Sequence, residues 1–99
     1  MLAAWKLPKH VMICGVKILI KQVKKSNGLY GHFDPATKAI YINLTLCDSE
    51  EEQRLTLFHE MCHAVLHLTG QSFTINNEDV EEGIVRALEH LLPAVDKHL

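Results

Sequence analysis

The sequence predicts an α+β fold: a small antiparallel sheet of about three strands packed against two helices. Three observations carry this. Residues 10–44 alternate apolar and polar side chains with the period of half-buried strands. Residues 49–92 instead repeat apolar side chains at helical spacing. The change falls at Asp48-Ser49-Glu50-Glu51-Glu52, where Ser49 and Glu52 have capping-box spacing and the acids suit the positive end of a helix dipole.

The strands follow in order. Pro8 restricts the approach to His10–Ile13, a short apolar run that Cys14-Gly15 can turn. Over Val16–Val23, Val16, Ile18 and Ile20 share one face and Lys17 and Lys21 the other, with Leu19 the exception. Lys24-Lys25-Ser26-Asn27-Gly28 comes next, and Asn-Gly is a strong hairpin signal. Leu29–Phe33 reads as a strand, and Asp34-Pro35-Ala36-Thr37 has the Asp and Pro placement of a type I turn. Ala39–Leu44 closes the sheet with Ile40, Ile42 and Leu44 on one side. Because the connections are short, an antiparallel meander is expected.

The first helix carries Leu55, Phe58, Cys62, Val65, Leu66 and Thr69 at helical spacing and stops at Gly70, a run of about 20 residues or roughly 30 Å. A polar loop, Gln71–Asn77, leads to the second helix. Asn77 can cap it, Glu78 and Asp79 fill its first turn, and Val80, Ile84, Val85, Leu88, Leu91 and Leu92 form its apolar face up to Pro93. Gly83 lies inside, at a cost of about 1 kcal/mol against alanine, and either admits a closely approaching element or has no role. No linker divides the chain, so residues 1–99 read as a single domain with a modest core.

Composition removes several function classes. A net charge of −2 leaves no electrostatic footprint for nucleic acid. The longest apolar runs, such as Val16–Ile20, are broken by lysine and too short to span a bilayer. Met1–Lys9 lacks the apolar core of a signal peptide, so a cytoplasmic protein is expected. Cys14, Cys47 and Cys62 form no CxxC pair and read as reduced, mostly buried thiols.

The chemistry lies in His59-Glu60-Met61-Cys62-His63. Side chains four apart on a helix share a face, about 5–6 Å between Cβ atoms, so two imidazoles can reach one ion. Glu60 points about 100° away and is poorly placed to chelate the same ion, but it can reach a water on the metal's open side. Zinc lowers the pKa of such a water toward about 7, and a carboxylate can take its proton and pass it to a leaving amine. Zn2+ is thus the expected cofactor, with His59 and His63 as ligands and Glu60 as the catalytic base. A catalytic zinc takes a third protein ligand. Glu81 is the first choice, because it shares the inward face of the second helix with Ile84, Val85 and Leu88. Glu78 is the second choice, Glu82, toward the flank, the third, and Glu89 lies on the outer side. His67 extends the ladder by one turn, too far for the same ion, and reads as a supporting or last-turn residue. His10, His32, His90 and His98 carry no spacing signal. Tyr30, Tyr41 and His32 are candidates for stabilising an oxyanion beside the metal. Lys17, Lys21, Lys24 and Lys25 read as a solvated strand face, or else as a basic stripe that guides an acidic partner.

The stretch Leu57–His67 resembles the active-site helix of the ImmA/IrrE-type metallopeptidases, above all their short phage- and prophage-encoded relatives. The Gly-containing hairpin, the Ala39–Asn43 strand and Glu81–Leu88 are similar to the family's neighbouring elements, and together these cover roughly Pro8 to Leu92. The resemblance implies a zincin-like fold and a zinc-dependent peptidase with Glu81 as third ligand. Its partner would be a protein or peptide substrate lying extended along the sheet edge, and neither a membrane nor nucleic acid. The chain is shorter than full-length members, which often carry an extra helix or a DNA-binding domain, and neither is expected within these residues. SprT-like proteases begin with a similar motif but place further histidines in a glycine-rich segment that does not stand here. The alternative function is a non-catalytic interaction module of phage or prophage origin, with or without zinc. A purely structural zinc site is disfavoured, because two histidines and a carboxylate leave a coordination position open.

Overall fold

The computed structural model describes residues 6–24 and 28–93. Strands β1 (His10–Ile13), β2 (Val16–Val23), β3 (Gly31–Asp34) and β4 (Ala39–Asn43) form one sheet. Helices α1 (Glu50–Leu68), α2 (Gln71–Ile75) and α3 (Glu78–Glu89) follow.

The α+β class agrees with the sequence, but the sheet departs from the expected meander in two ways. It has four strands, because the His10–Ile13 run pairs antiparallel with β2 across a two-residue turn in which Ile13 faces Val16. Cys14 and Gly15 both take positive φ there, 52° and 75°, the primed geometry whose twist matches the flanking strands. The sheet is also mixed: its order is β1-β2-β4-β3, and β2 runs parallel to β4. The chain leaves β2 for the far edge, makes β3, and returns antiparallel as β4 between them. Burial gives the reason. Ala39, Ile40, Ile42 and Asn43 of β4 are all buried, whereas β3 is short and exposes His32. A strand apolar on both faces belongs inside a sheet. The expected Asn27-Gly28 turn falls partly outside the described residues, as do Lys25 and His98. The turn after β3 forms as expected, with Ala36 N–H donating to Asp34 Oδ1 at 2.9 Å.

Helix α1 covers one face of the sheet. Leu57, Met61, Ala64 and Leu68 pack onto Ile13, Ile18, Ile20, Phe33, Ile40 and Ile42. The expected stripe, Leu55 through Thr69, is therefore rotated, and Val65 on it is exposed. Apolar residues occur all round this helix, so their spacing does not select the face that packs. The caps are as the sequence predicts. Ser49 Oγ accepts from Glu52 N–H at 3.1 Å, and Asn77 Oδ1 accepts from Val80 N–H at 3.1 Å. Gly70 ends α1 in the left-handed region at φ 78°, where its N–H reaches His67 C=O at 3.1 Å.

Two further expectations are corrected. Gln71–Ile75 is a short helix rather than a polar loop, bounded by left-handed Gly70 and Asn76. In α3 only Val85 is buried, while Val80, Ile84 and Leu91 of the expected apolar face are exposed. Glu81, Glu82 and Glu89 are partly buried instead. A side chain at Gly83 would meet nothing within 4 Å, so no element approaches it. Among the described residues no helix is long and apolar enough to cross a membrane.

Candidate metal centre

Next to its sheet-facing stripe, α1 turns a second face, Thr56, His59, Glu60, His63 and His67, into an open cleft of about 1090 Å3. Residues 28–33, including β3 at the sheet edge, form one wall, and α3 forms the other. The β3 wall stands close. A Cβ built on Gly31 would lie 2.7 Å from the Thr56 methyl, 3.1 Å from the Tyr41 carbonyl oxygen and 3.2 Å from Glu60 Cγ. Gly31 thus lets the strand lie flat against the turn that carries Glu60.

The rim above Gly31 is tied to the junction of β4 and α1. Asn43 is buried; its Nδ2 donates to Leu29 C=O at 3.0 Å, and its Oδ1 accepts from Thr45 N–H at 3.0 Å. Its own N–H reaches Tyr30 C=O at 2.9 Å. The Cys47 thiol touches Tyr30 C=O at 3.5 Å and Thr56 Oγ1 at 3.3 Å. Sequence reasoning passed over Asn43. The signal was there, since an amide at the end of an aliphatic strand can be buried only if it is hydrogen-bonded.

Across the cleft the two imidazoles converge. His59 Nε2 and His63 Nε2 are 3.3 Å apart. One carboxylate spans both: Glu82 Oε1 lies 2.8 Å from His59 Nε2, and Glu82 Oε2 lies 3.0 Å from His63 Nε2. His59, His63 and Glu82 are the group among the described residues whose ligand atoms could share one ion. The donor set fits zinc: two imidazoles and a carboxylate are a common catalytic triple that leaves a further position open. Glu81 is placed differently from the sequence expectation. Its carboxylate meets the other nitrogen of His63, Nδ1, at 2.6 Å and accepts from Ser72 Oγ at 2.5 Å. Glu89, expected on the outer side, instead pairs with His59 Nδ1. Glu78 lines the cleft without joining this group. The signal missed in α3 was the spacing of Glu82, Val85 and Glu89, three then four residues apart on one face. Counting apolar residues drew in Val80 and Ile84, which are exposed, beside the buried Val85.

Electrostatics separates the glutamates. Burial pushes the Glu60 carboxyl above its ordinary value, and the nearby His59, His63 and His32 pull it back in part. For Glu81 burial acts the same way, but the Ser72 hydroxyl and His63 outweigh it and hold its carboxyl below the ordinary value. Burial, reinforced by the charges of Glu89 and Glu60, raises the Cys62 thiol, and burial raises that of Cys47. Neither cysteine is an activated nucleophile. His67 rests on the Phe33 ring, centroids 5.8 Å apart, and lines the cleft outside the metal-capable group. Tyr30 and His32 also line the cleft. Tyr41 is opposite His32 in the sheet register and stacks on it at 6.5 Å.

A helix bearing His-Glu-x-x-His, a sheet edge beside it and a carboxylate-bearing helix across from it make the peptidase comparison direct. The chain belongs to the peptidase M78 family, the IrrE N-terminal-like domain, whose model matches residues 12–98. Membership confirms the ImmA/IrrE resemblance read from Leu57–His67 and places the chain among metallopeptidase relatives. No curated protein and no solved structure matches the chain.

Proposed function

We propose that this IrrE-like domain is a zinc-dependent peptidase in which His59, His63 and Glu82 hold the metal and Glu60 is the catalytic base. The observation that carries this is the meeting of both Nε2 atoms with the Glu82 carboxylate in an open cleft. Glu82 replaces Glu81 in the ligand set because Glu82 faces the inner nitrogens of both rings, while Glu81 holds an outer one. Zinc bound there would polarise a peptide carbonyl and acidify water. Glu60 stands on the same helix face, partly dehydrated, so its carboxylate is a stronger proton acceptor than one in bulk water. The protonated Glu60 can then give that proton to the departing amine. The β3 edge offers main-chain groups to an extended peptide, as in strand addition.

Glu60→Gln should retain stoichiometric zinc and lose cleavage of a peptide library by at least about 100-fold. Full turnover by that variant would overturn the mechanism. A second reading, a non-catalytic binding module, is favoured by the exposed Val80 and Ile84 on α3, Leu91 just after it and Phe73 on α2. Incubating the zinc-loaded protein with a cell lysate separates the two: new peptide termini support the peptidase, and stable complexes without new termini support the module.

A further inference from the structure

The metal-capable group uses only the inner nitrogen of each histidine. We propose that Glu81 and Glu89 are positioning residues that grip the outer nitrogens of His63 and His59, with Ser72 fixing Glu81, so that α3 sets the orientation of both rings. This rests on the metal reading above.

The contacts assign each carboxylate one task. His63 Nδ1 meets Glu81 Oε2 at 2.6 Å, and the other oxygen of Glu81 accepts from Ser72 Oγ at 2.5 Å. His59 Nδ1 meets Glu89 Oε1. A carboxylate only accepts hydrogen bonds, so with a cation held between the two Nε2 atoms and Glu82 the hydrogen of each neutral ring stands on Nδ1, facing Glu81 or Glu89. A neutral imidazole protonated at Nδ1 presents its lone pair at Nε2, and both Nε2 atoms point at the Glu82 side of the cleft. The outer carboxylates thus select the tautomer a cation needs, and they fix the orientation of both rings.

The helix geometry explains how one element reaches both rings. Glu82 and Glu89 are seven residues apart, close to two full turns, so they share a face of α3. Glu81 is one position round from Glu82 and reaches the His63 end, where α2 supplies Ser72. Ser72 is half-buried, and its hydroxyl links α2 to the site. The same contacts account for the half-buried acids on a helix that leaves Val80 and Ile84 exposed.

The test is zinc affinity, measured by competition with a chromophoric chelator. It is read beside the visible spectrum of the cobalt-substituted protein and the ring-nitrogen shifts of His59 and His63 in the zinc-loaded protein. Glu81→Ala and Glu89→Ala should each weaken zinc about 10–100-fold at unchanged 1:1 stoichiometry. Glu81→Gln and Glu89→Gln, which keep an acceptor oxygen in place, should recover part of that loss. Ser72→Ala should weaken zinc by a smaller factor, and should add nothing to Glu81→Ala. The ring-nitrogen shifts should show hydrogen on Nδ1 of both histidines. Alanine and glutamine variants that fold by circular dichroism, yet bind zinc as tightly as the parent with an unaltered cobalt spectrum, would overturn the proposal. Hydrogen on Nε2 of either ring would overturn it as well. A parent protein that binds zinc no better than its His59→Ala/His63→Ala variant would overturn the metal reading and this inference together. Loss confined to Glu82→Gln would overturn the positioning role alone.

Discussion

Helix α1 is fastened by apolar burial: Leu57 and Ala64 are buried, and Met61 and Leu68 add to the same core. Helix α3, facing it across the cleft, has one buried side chain, Val85, and otherwise meets α1 through carboxylates on imidazoles. The first kind of attachment needs nothing but water to leave. The second depends on what occupies the space between His59, His63 and Glu82. On the proposed metal reading, the α1 wall is the fixed side and carries Glu60, and the docking of α3 would be coupled to the ion.

The largest expected effect falls on the fixed side. Leu57→Ala should cost about 2–5 kcal/mol in global stability, read as a lower urea midpoint with an unchanged slope. Zinc at a hundred times its dissociation constant should protect the native state by about 2.7 kcal/mol. Amide exchange should show where that protection lies, with slowing in α3 and little change in the middle of α1. Equal slowing in both helices would erase the distinction. Val85→Ala should cost about 2 kcal/mol, since it removes the one buried apolar contact of α3. Added zinc should offset it in part, which it should not do for Leu57→Ala. The smallest effect is expected for Ile84→Gln, within about 0.5 kcal/mol by chemical denaturation, because this side chain is exposed and stands outside the buried core. A large loss there would mean that α3 buries an apolar face after all.

Much of this was legible in the residues. Ser49, Asn77 and Gly70 each mark a helix end by a local hydrogen-bond requirement, and all three marks fall where the sequence puts them. Cys14-Gly15 reads as a turn and is one. The His-Glu-x-x-His spacing brings both imidazoles together because four residues is nearly one helical turn. Strand order was not legible. Alternation reports which face of a strand is buried, not which strand lies beside it, so the parallel pairing of β2 with β4 could not be read from Val16–Val23 and Ala39–Leu44. The face of α3 was read only in part: Val85 is buried as expected, but Val80 and Ile84 are exposed, and Leu91 lies beyond the helix end. The burial of Glu82 and Glu89 depends on histidines some twenty and thirty residues away along the chain, respectively, and no local pattern contains that contact.

The edge position of β3 carries a hazard as well as a use. A strand paired on one side only is a template for any other extended chain, including one from a neighbouring molecule. Blocking that edge would close the cleft it borders, so protection has to come from elsewhere. Brevity supplies some: β3 is four residues long and runs into Asp34-Pro35, where a charge and a missing N–H interrupt further zipping. Lengthening this strand, or removing Pro35, would therefore invite aggregation before it changed anything at the candidate metal centre.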